Sequence, residues 1–388
     1  MELYIAAIFW FAIILLSHAY LIYPFSLRIF KLFKSKPFAA DQDYSPSISI
    51  LISAYNEEKV LAERIENIKN QDYDFTKLEL IIGSDCSYDK TNDILKQKAS
   101  QYNWLKIKLF NKRRGKANVL NDLVQMAKGE FLVFTDANTI FDKNTLVNLI
   151  SKFTDQKVGG ICGKLILENP SDNFDKSNRE KLYWIYETQI KKLEGYLGIL
   201  VAANGGIYAI RKNLFCKFPP DHAITDDLYQ TLSVLDQGYK FVYAVEAIAK
   251  EEVAEKLTLE FQRKRRFAGT NFQTLKQFPN LLLGKKFLVS YALWSHKILR
   301  WLVPMIAIFL FASNLALINY HKLYFITFIM QSAFYFSVLL GFIFNKLKIN
   351  VGLFSISYYY FITNLALFLG FLNFLFGKHS YTWNSTPR

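Results

Sequence analysis

Cysteine is nearly absent from these 388 residues. Cys86, Cys162 and Cys216 stand far apart, with no CxxC pair and no Cys/His spacing of the metal-ligand kind. That excludes a disulfide framework or a zinc module and leaves reduced cytoplasmic thiols as the simplest reading. Neither GxGxxG nor GxxxxGK(S/T) occurs, so dinucleotide and P-loop nucleotide binding lose their main sequence support. No internal repeat or low-complexity tract interrupts the chain. Charge is missing altogether from residues 3 to 27. A run of that length crosses a bilayer, for which about 20 apolar residues suffice. With Glu2 and no basic residue ahead of it, the run lacks the start of a cleaved secretory signal and reads as a retained anchor.

Acidic residues are outnumbered, 33 against 47 Lys and Arg, for a formal charge of +14. Much of the excess sits beside apolar runs: Arg28, Lys31, Lys34 and Lys36, then Lys285, Lys286, Lys297 and Arg300, then Lys346 and Lys348. Attraction to anionic headgroups, about 1 kcal/mol per basic residue near the surface, accounts for them without nucleic acid. Three further apolar runs, about 301 to 319, 323 to 344 and 351 to 376, close the chain. The expected organisation is an N-terminal transmembrane anchor (1–36), a soluble domain (37–280), a segment 281–299 mixing apolar and basic residues with Trp294, and a C-terminal transmembrane bundle and tail (300–388). Segment 281–299 reads either as an interfacial helix in the headgroup plane or as a linker helix packed on the soluble domain. All three basic clusters fall on one side of the membrane, so the soluble domain is expected to be cytoplasmic.

Within the soluble region, short β-branched runs alternate with amphipathic ones. Ser47–Ile52, Leu78–Ile82, Leu105–Phe110 and Phe131–Phe134 read as strands, and Glu57–Asn70, a stretch from about Asp89, and Ala117–Ala127 read as helices. Alternation of this kind implies an α/β fold, a mostly parallel sheet flanked by helices, with ligands at the carboxyl ends of the strands. Those ends carry Tyr55-Asn56-Glu57, Ser84-Asp85, Lys112-Arg113-Arg114-Gly115-Lys116 and Asp136-Ala137-Asn138. Each has a plain structural reading: Asn56 as a helix cap, Asp85-Cys86-Ser87 as a turn, Lys112–Lys116 as a solvated loop, and the D-x-N triplet as another turn. Four chemistry-bearing stations at four successive strand ends make a stronger signal than any one. Thr225-Asp226-Asp227 is either a capped helix start whose acids complement the dipole or, after Gly205-Gly206, the site of a general base. Gln262-Arg263-Lys264-Arg265-Arg266 is either a membrane-surface basic cluster or an Arg fork for a diphosphate.

In order and spacing these stations resemble the family 2 glycosyltransferases, and in particular the membrane-embedded inverting enzymes of the cellulose synthase, hyaluronan synthase and poly-N-acetylglucosamine synthase kind, over about 45 to 270 and the flanking helices. The resemblance implies a GT-A-type fold with one N-terminal and three C-terminal transmembrane helices. It implies a UDP-sugar donor whose base is held by Tyr55, Glu57 and Asp85, with Lys116, Gly205, Gly206, Gln262, Arg265 and Arg266 contributing further donor contacts. It places Mg²⁺ or Mn²⁺ at Asp136 and Asn138, and the general base at Asp227 with Asp226 beside it. The acceptor it implies is a growing polysaccharide or a lipid-linked glycan, in contact with membrane lipids and with a second copy or export partner to supply more helices. Asn138 stands where the family has a second Asp. Arg266 stands where a Trp would stack on the acceptor sugar, which leaves processive synthesis and single transfer both open. The competing class is a membrane scaffold with a non-catalytic transferase-like domain.

Overall fold

The computed structural model describes residues 1–34, 36–168, 174–220, 222–252, 257–347, 349 and 351–377. The tail from 378 onward and Lys348, one of the basic residues counted above, lie outside them. The chain opens with one continuous helix, Glu2–Leu32, made of α1 (Glu2–Ser17), a π-helical turn (His18–Ile22) and α2 (Tyr23–Leu32).

Between this helix and the later apolar helices, the described residues form one eight-stranded sheet ordered β3-β2-β1-β4-β7-β6-β8-β5. Its first half matches the alternation read from sequence: β1 (Ile48–Ala54), α3 (Leu61–Lys69), β2 (Leu78–Ser84), α4 (Thr91–Gln101), β3 (Leu105–Leu109), α5 (Lys116–Met126) and β4 (Phe131–Phe134). β3, β2, β1 and β4 pair in parallel. Strands buried on both faces read as unbroken apolar runs rather than alternating ones, and β1 shows it. Ile50 and Ile52 join the layer containing Ile65 and Ile68 of α3, whereas Leu51 joins the layer containing Leu120 and Leu123 of α5.

The second half departs from simple alternation. It contains β5 (Ile140–Phe141), α6 (Thr145–Ile150), β6 (Val158–Glu168), α7 (Phe174–Leu197), β7 (Tyr208–Arg211), α8 (Asp226–Asp236) and β8 (Lys240–Glu252). β7 runs antiparallel to both β4 and β6, and β5 antiparallel to β8, while β6 and β8 are parallel. The sheet is therefore mixed, with four parallel pairings and three antiparallel ones. Gly160 in β6 has no room for a side chain: a Cβ there would fall 2.3 Å from the Phe241 ring of β8.

Next come α9 (Leu257–Leu275), α10 (Pro279–Leu282), α11 (Phe287–Ala292), a π-turn (Leu293–Ile298), α12 (Leu299–Leu317), α13 (Lys322–Lys346) and α14 (Gly352–Leu375). Among the described residues, four helices are long and apolar enough to cross a membrane: Glu2–Leu32, Phe287–Leu317, Lys322–Lys346 and Gly352–Leu375. The second begins 14 residues ahead of the apolar run at 301. Segment 281–299 is thus divided between short α10 and the first part of this long helix. Lys297 and Arg300, expected to face lipid headgroups, instead lie within the helix and pair with Glu187 of α7 at 2.8 and 2.9 Å. A reading of local hydropathy has no view of a carboxylate 110 residues away.

Candidate active site

The carboxyl ends of β1 and β2 are stitched into one surface. Asn56 adopts a left-handed backbone, φ 55°. It does not cap α3, which begins five residues later. Its Oδ1 accepts the Tyr88 N–H at 3.1 Å and its own N–H donates to Ser87 Oγ at 3.1 Å. The N–H of Glu57 donates to Thr91 Oγ1 at 2.8 Å. These bonds tie Asn56 and Glu57 to the segment after β2, and α3 starts only at Leu61, later than its apolar periodicity implies. The ring of Tyr55 lies 3.3 Å from the Arg113 guanidinium, in cation–π contact.

Asp85 is 2% exposed and holds the loop before α5. Its Oδ1 accepts the Arg114 N–H at 2.7 Å and its Oδ2 the Gly115 N–H at 2.9 Å, with Arg113 Nη1 3.3 Å from Oδ2. Gly115, at φ 79°, takes a conformation that favours glycine. This turn aims Lys116, first residue of α5, across the sheet edge. Its Nζ lies 2.8 Å from Asp136 Oδ1 and 3.0 Å from Asp226 Oδ2. Burial disfavours the ammonium, but Asp136 and Asp226 outweigh it and hold Lys116 charged well above the ordinary lysine range.

Asp226 and Asp227 open α8, where acidic residues complement the helix dipole. Thr225 occupies the N-cap position, yet its hydroxyl makes no cap bond. It bonds Thr270 Oγ1 at 2.8 Å and Asn271 Oδ1 at 2.7 Å, and its N–H donates to Thr274 Oγ1 at 3.0 Å. The start of α8 is therefore gripped by α9. Asp227 Oδ1 accepts the Leu228 N–H at 2.7 Å. The other oxygen rests against the Gly205-Gly206 turn, where a Cβ on Gly205 would lie 3.3 Å from Asp227 Oδ2 and 3.9 Å from Asp136 Oδ2. Burial, then the neighbouring Asp226 charge, push the Asp227 carboxyl up to about 6. Lys116, the Leu228 N–H and Lys191 pull it back. A half-buried carboxylate raised toward neutrality at the mouth of a sheet is suited to accept a proton.

Asp136 and Asn138 carry hard oxygen donors two residues apart, and no group of three or more His, Cys, Asp or Glu side chains forms a metal cluster among the described residues. Asn138 donates from Nδ2 to Glu251 Oε1 of β8 at 3.0 Å, which fixes its amide plane. An oxygen set this small fits Mg²⁺ or Mn²⁺, which keep water and take substrate phosphates to complete their coordination.

The basic cluster on α9 divides. Arg266 is near Asp226, and burial, then neighbouring Arg263, lower its guanidinium below the ordinary range while Asp226 opposes the shift. Gln262 is exposed one turn before it. Arg265 points elsewhere, donating from Nη2 to Asn373 Oδ1 of α14 at 3.2 Å, and Lys264 bonds Tyr359 and Thr363 of the same helix at 3.2 Å each. Residues absent from the sequence reading also shape the site. Arg64, fully buried, donates from Nη2 to Thr135 Oγ1 at 2.9 Å, and that hydroxyl donates to the Gly206 carbonyl at 2.7 Å. Its signal was present: Arg64 lies on the same helical face as Leu61, Ile65 and Ile68, where an unpaired charge is costly.

Residues 49–215 match the family described as Glycosyl transferase family 2. The chain is 29% identical over 247 residues to the beta-monoglucosyldiacylglycerol synthase of Nostoc sp. (strain PCC 7120), covering 62% of this chain and 52% of that protein. It is 24% identical over 273 residues to the poly-beta-1,6-N-acetyl-D-glucosamine synthase of Staphylococcus aureus (strain COL), covering 67% of this chain and 65% of that protein. The chain thus spans about half the length of the first relative and under two thirds of the second. Among solved structures, the mannosyltransferase PcManGT from Pyrobaculum calidifontis, in complex with GDP-Man and Mn²⁺, superposes with a TM-score of 0.70 at 21% identity over 97% of this chain and 100% of that one. The two share a fold of GT-A type.

Proposed function

Because residues 49–215 match Glycosyl transferase family 2, we propose that this chain is a family 2 glycosyltransferase that transfers a hexosyl or N-acetylhexosaminyl group from a UDP-sugar to a polysaccharide or lipid-linked acceptor at a membrane surface, with inversion and with Asp227 as general base. The observation that carries this reading is the half-buried Asp227 carboxylate, facing Gly205 and raised toward neutrality. In the proposed reaction the acceptor hydroxyl attacks the anomeric carbon, its proton passes to Asp227, and the bond to the diphosphate breaks. With one base and no carboxylate nucleophile invoked, a single displacement inverts the anomeric centre.

Lys116 and Arg266 flank Asp226 and are placed to meet the negative charge that grows on the departing diphosphate. Asp136 and Asn138 would hold Mg²⁺ or Mn²⁺, which when bound supplies further neutralisation of that charge. Tyr55 and Glu57 form the base end of the donor site, Asp85 holds the loop beside it through the Arg114 and Gly115 N–H groups, and Gly205 and Gly206 let the backbone approach the sugar. Gln262 lines the same face of α9 as Arg266, whereas Arg265 acts through α14.

The proposed placement keeps residues 1–36 as an anchor, 37–280 as the cytoplasmic catalytic domain, 281–299 at headgroup level and 300–388 as the membrane bundle and tail. A lipid-acting relative and a polysaccharide-building one both fit this layout. Purified full-length protein should release nucleoside diphosphate from UDP-glucose or UDP-N-acetylglucosamine with Mn²⁺ and either diacylglycerol vesicles or short β-linked oligosaccharides. The product's anomeric proton should show configuration opposite to the donor's. Retention would contradict single displacement.

A further inference from the structure

Helix α7 carries a line of buried polar side chains that the proposed chemistry leaves unused. Glu187, Lys191 and Glu194 are spaced four and three residues apart, which stacks them on one helical face, and all three are buried. Burying such groups is costly unless each is paired, so their partners show what the face is for. His296 bridges the two glutamates, with Nδ1 2.7 Å from Glu194 Oε1 and Nε2 3.0 Å from both Glu187 oxygens. Lys297 and Arg300 also reach Glu187, and the Tyr23 hydroxyl donates to Glu194 Oε1 at 2.5 Å. Tyr23 directly follows the π-turn His18–Ile22, and His296 lies within the π-turn Leu293–Ile298. The two turns are joined by His18 Nε2 and Ser295 Oγ at 2.8 Å. π-turns inside regular helices, and ionisable residues inside apolar ones, both concentrate at functional places.

Lys191 connects this junction to the catalytic turn. Its Nζ donates to Asn204 Oδ1 at 2.5 Å. Asn204 is pinned on its other sides as well: Nδ2 donates to the Gly163 carbonyl at 2.8 Å, the backbone N–H to Cys162 Sγ at 3.2 Å, and its carbonyl accepts the Ile207 N–H at 3.0 Å. The next two residues are Gly205 and Gly206, the turn against which Asp227 rests. We propose that Lys191 is a positioning residue for glycosyl transfer: through Asn204 it sets the Gly205-Gly206 turn under Asp227, and through Glu187 and Glu194 on its own helix it ties that turn to the long apolar helices 2–32 and 287–317. Lys191 also lies close enough to oppose the effect of burial on Asp227. This inference rests on the reading of Asp227 as the base.

The test runs full-length wild type, Lys191→Met, Lys191→Arg and Asp227→Asn side by side. The readouts are nucleoside diphosphate release, UDP affinity by calorimetry and thermal midpoint. Lys191→Met keeps the aliphatic stem and loses the donor, and a displaced turn should lower kcat on the order of 100-fold. UDP affinity and donor KM should stay within about 3-fold of wild type, and Lys191→Arg should recover most of the loss. Wild-type kcat in Lys191→Met overturns the inference. So does a parallel fall of kcat, UDP affinity and midpoint that Lys191→Arg does not rescue, since that describes a purely structural lysine. If Lys191→Met does not fold, Lys191→Gln, which retains an N–H donor on a shorter uncharged chain, decides by the same criteria. Turnover lost in Asp227→Asn but intact in the Lys191 variants sinks this inference alone. Absence of turnover in wild type sinks the underlying reading and this one with it.

Discussion

Gly205 faces Asp227 across the sheet edge, with room for no more than a hydrogen between them: a Cβ on the glycine would stand 3.3 Å from the Asp227 Oδ2 atom. That spacing is just tighter than ordinary van der Waals contact, so Gly205→Ala should shift the carboxylate by a few tenths of an ångström without unfolding the domain. We expect kcat to fall about 10-fold or more, as reacting groups tolerate little misplacement, with UDP affinity nearly unchanged by calorimetry. Gly206→Ala should be worse for folding, because its Cβ would meet Thr139 Oγ1 at 2.9 Å.

The raised Asp227 carboxyl has a pH signature in both activity and stability. Its folded value, about 6, lies above its ordinary 3.8, so the native state binds the extra proton. Its favourable contribution is complete below pH 4 and is lost as pH rises through 6. Asp227→Asn should therefore stabilise the protein at pH 7 to 8 by about 2 to 3 kcal/mol, a gain that shrinks toward pH 4. Denaturant melts of both proteins at pH 4.5 and 7.5 read this directly. In wild type, kcat/KM should fall about tenfold per pH unit below 6.

Lys116 links Asp136 to Asp226, and its side chain is 18% exposed. Lys116→Met leaves two partly buried acids, 32% and 17% exposed, without the cation between them. The expected cost is about 2 to 4 kcal/mol in chemical denaturation, together with weaker UDP binding. An unchanged denaturation midpoint would remove Lys116 from this role.

The first half of the sheet was legible from sequence because parallel strands covered on both faces read as continuous apolar runs, as β1 and β4 do. The stations at their ends followed from the strand assignments. The second half was not, since β7 inserts antiparallel between β4 and β6, a pairing that local periodicity does not encode. Asp136, Asp226 and Asp227 do converge, and Lys116 joins them. Lys191, Asn204 and Arg64 give no local signal of their role because each is a lone polar residue whose meaning lies in its partner: Arg64 is 71 residues from Thr135. Arg265 turns toward Asn373 of α14 for a related reason. A cluster of five basic or polar residues on a helix points in several directions, and only the packing of α9 on α14 separates Arg266 from Arg265.

That packing is itself testable. Gly370 of α14 meets α9 so closely that a Cβ there would fall 2.3 Å from the Arg265 carbonyl oxygen. Gly370→Val should push the helices apart and loosen the grip of Thr270, Asn271 and Thr274 on Thr225. We expect a loss of about 1 to 3 kcal/mol in thermal or denaturant melts, and a fall in kcat larger than the fall in UDP affinity. A variant with wild-type turnover would show that α14 does not hold the start of α8.

The central claim is that Asp227 takes the acceptor proton, and Asp227→Asn tests it most directly. Full-length wild type and variant should bind UDP with Mn²⁺ at affinities within about 3-fold of each other, while acceptor-dependent release of nucleoside diphosphate falls by 10³-fold or more, at the larger end for loss of a general base. Retained UDP binding with lost turnover is the expected result. Turnover in Asp227→Asn within about 10-fold of wild type would contradict the assignment.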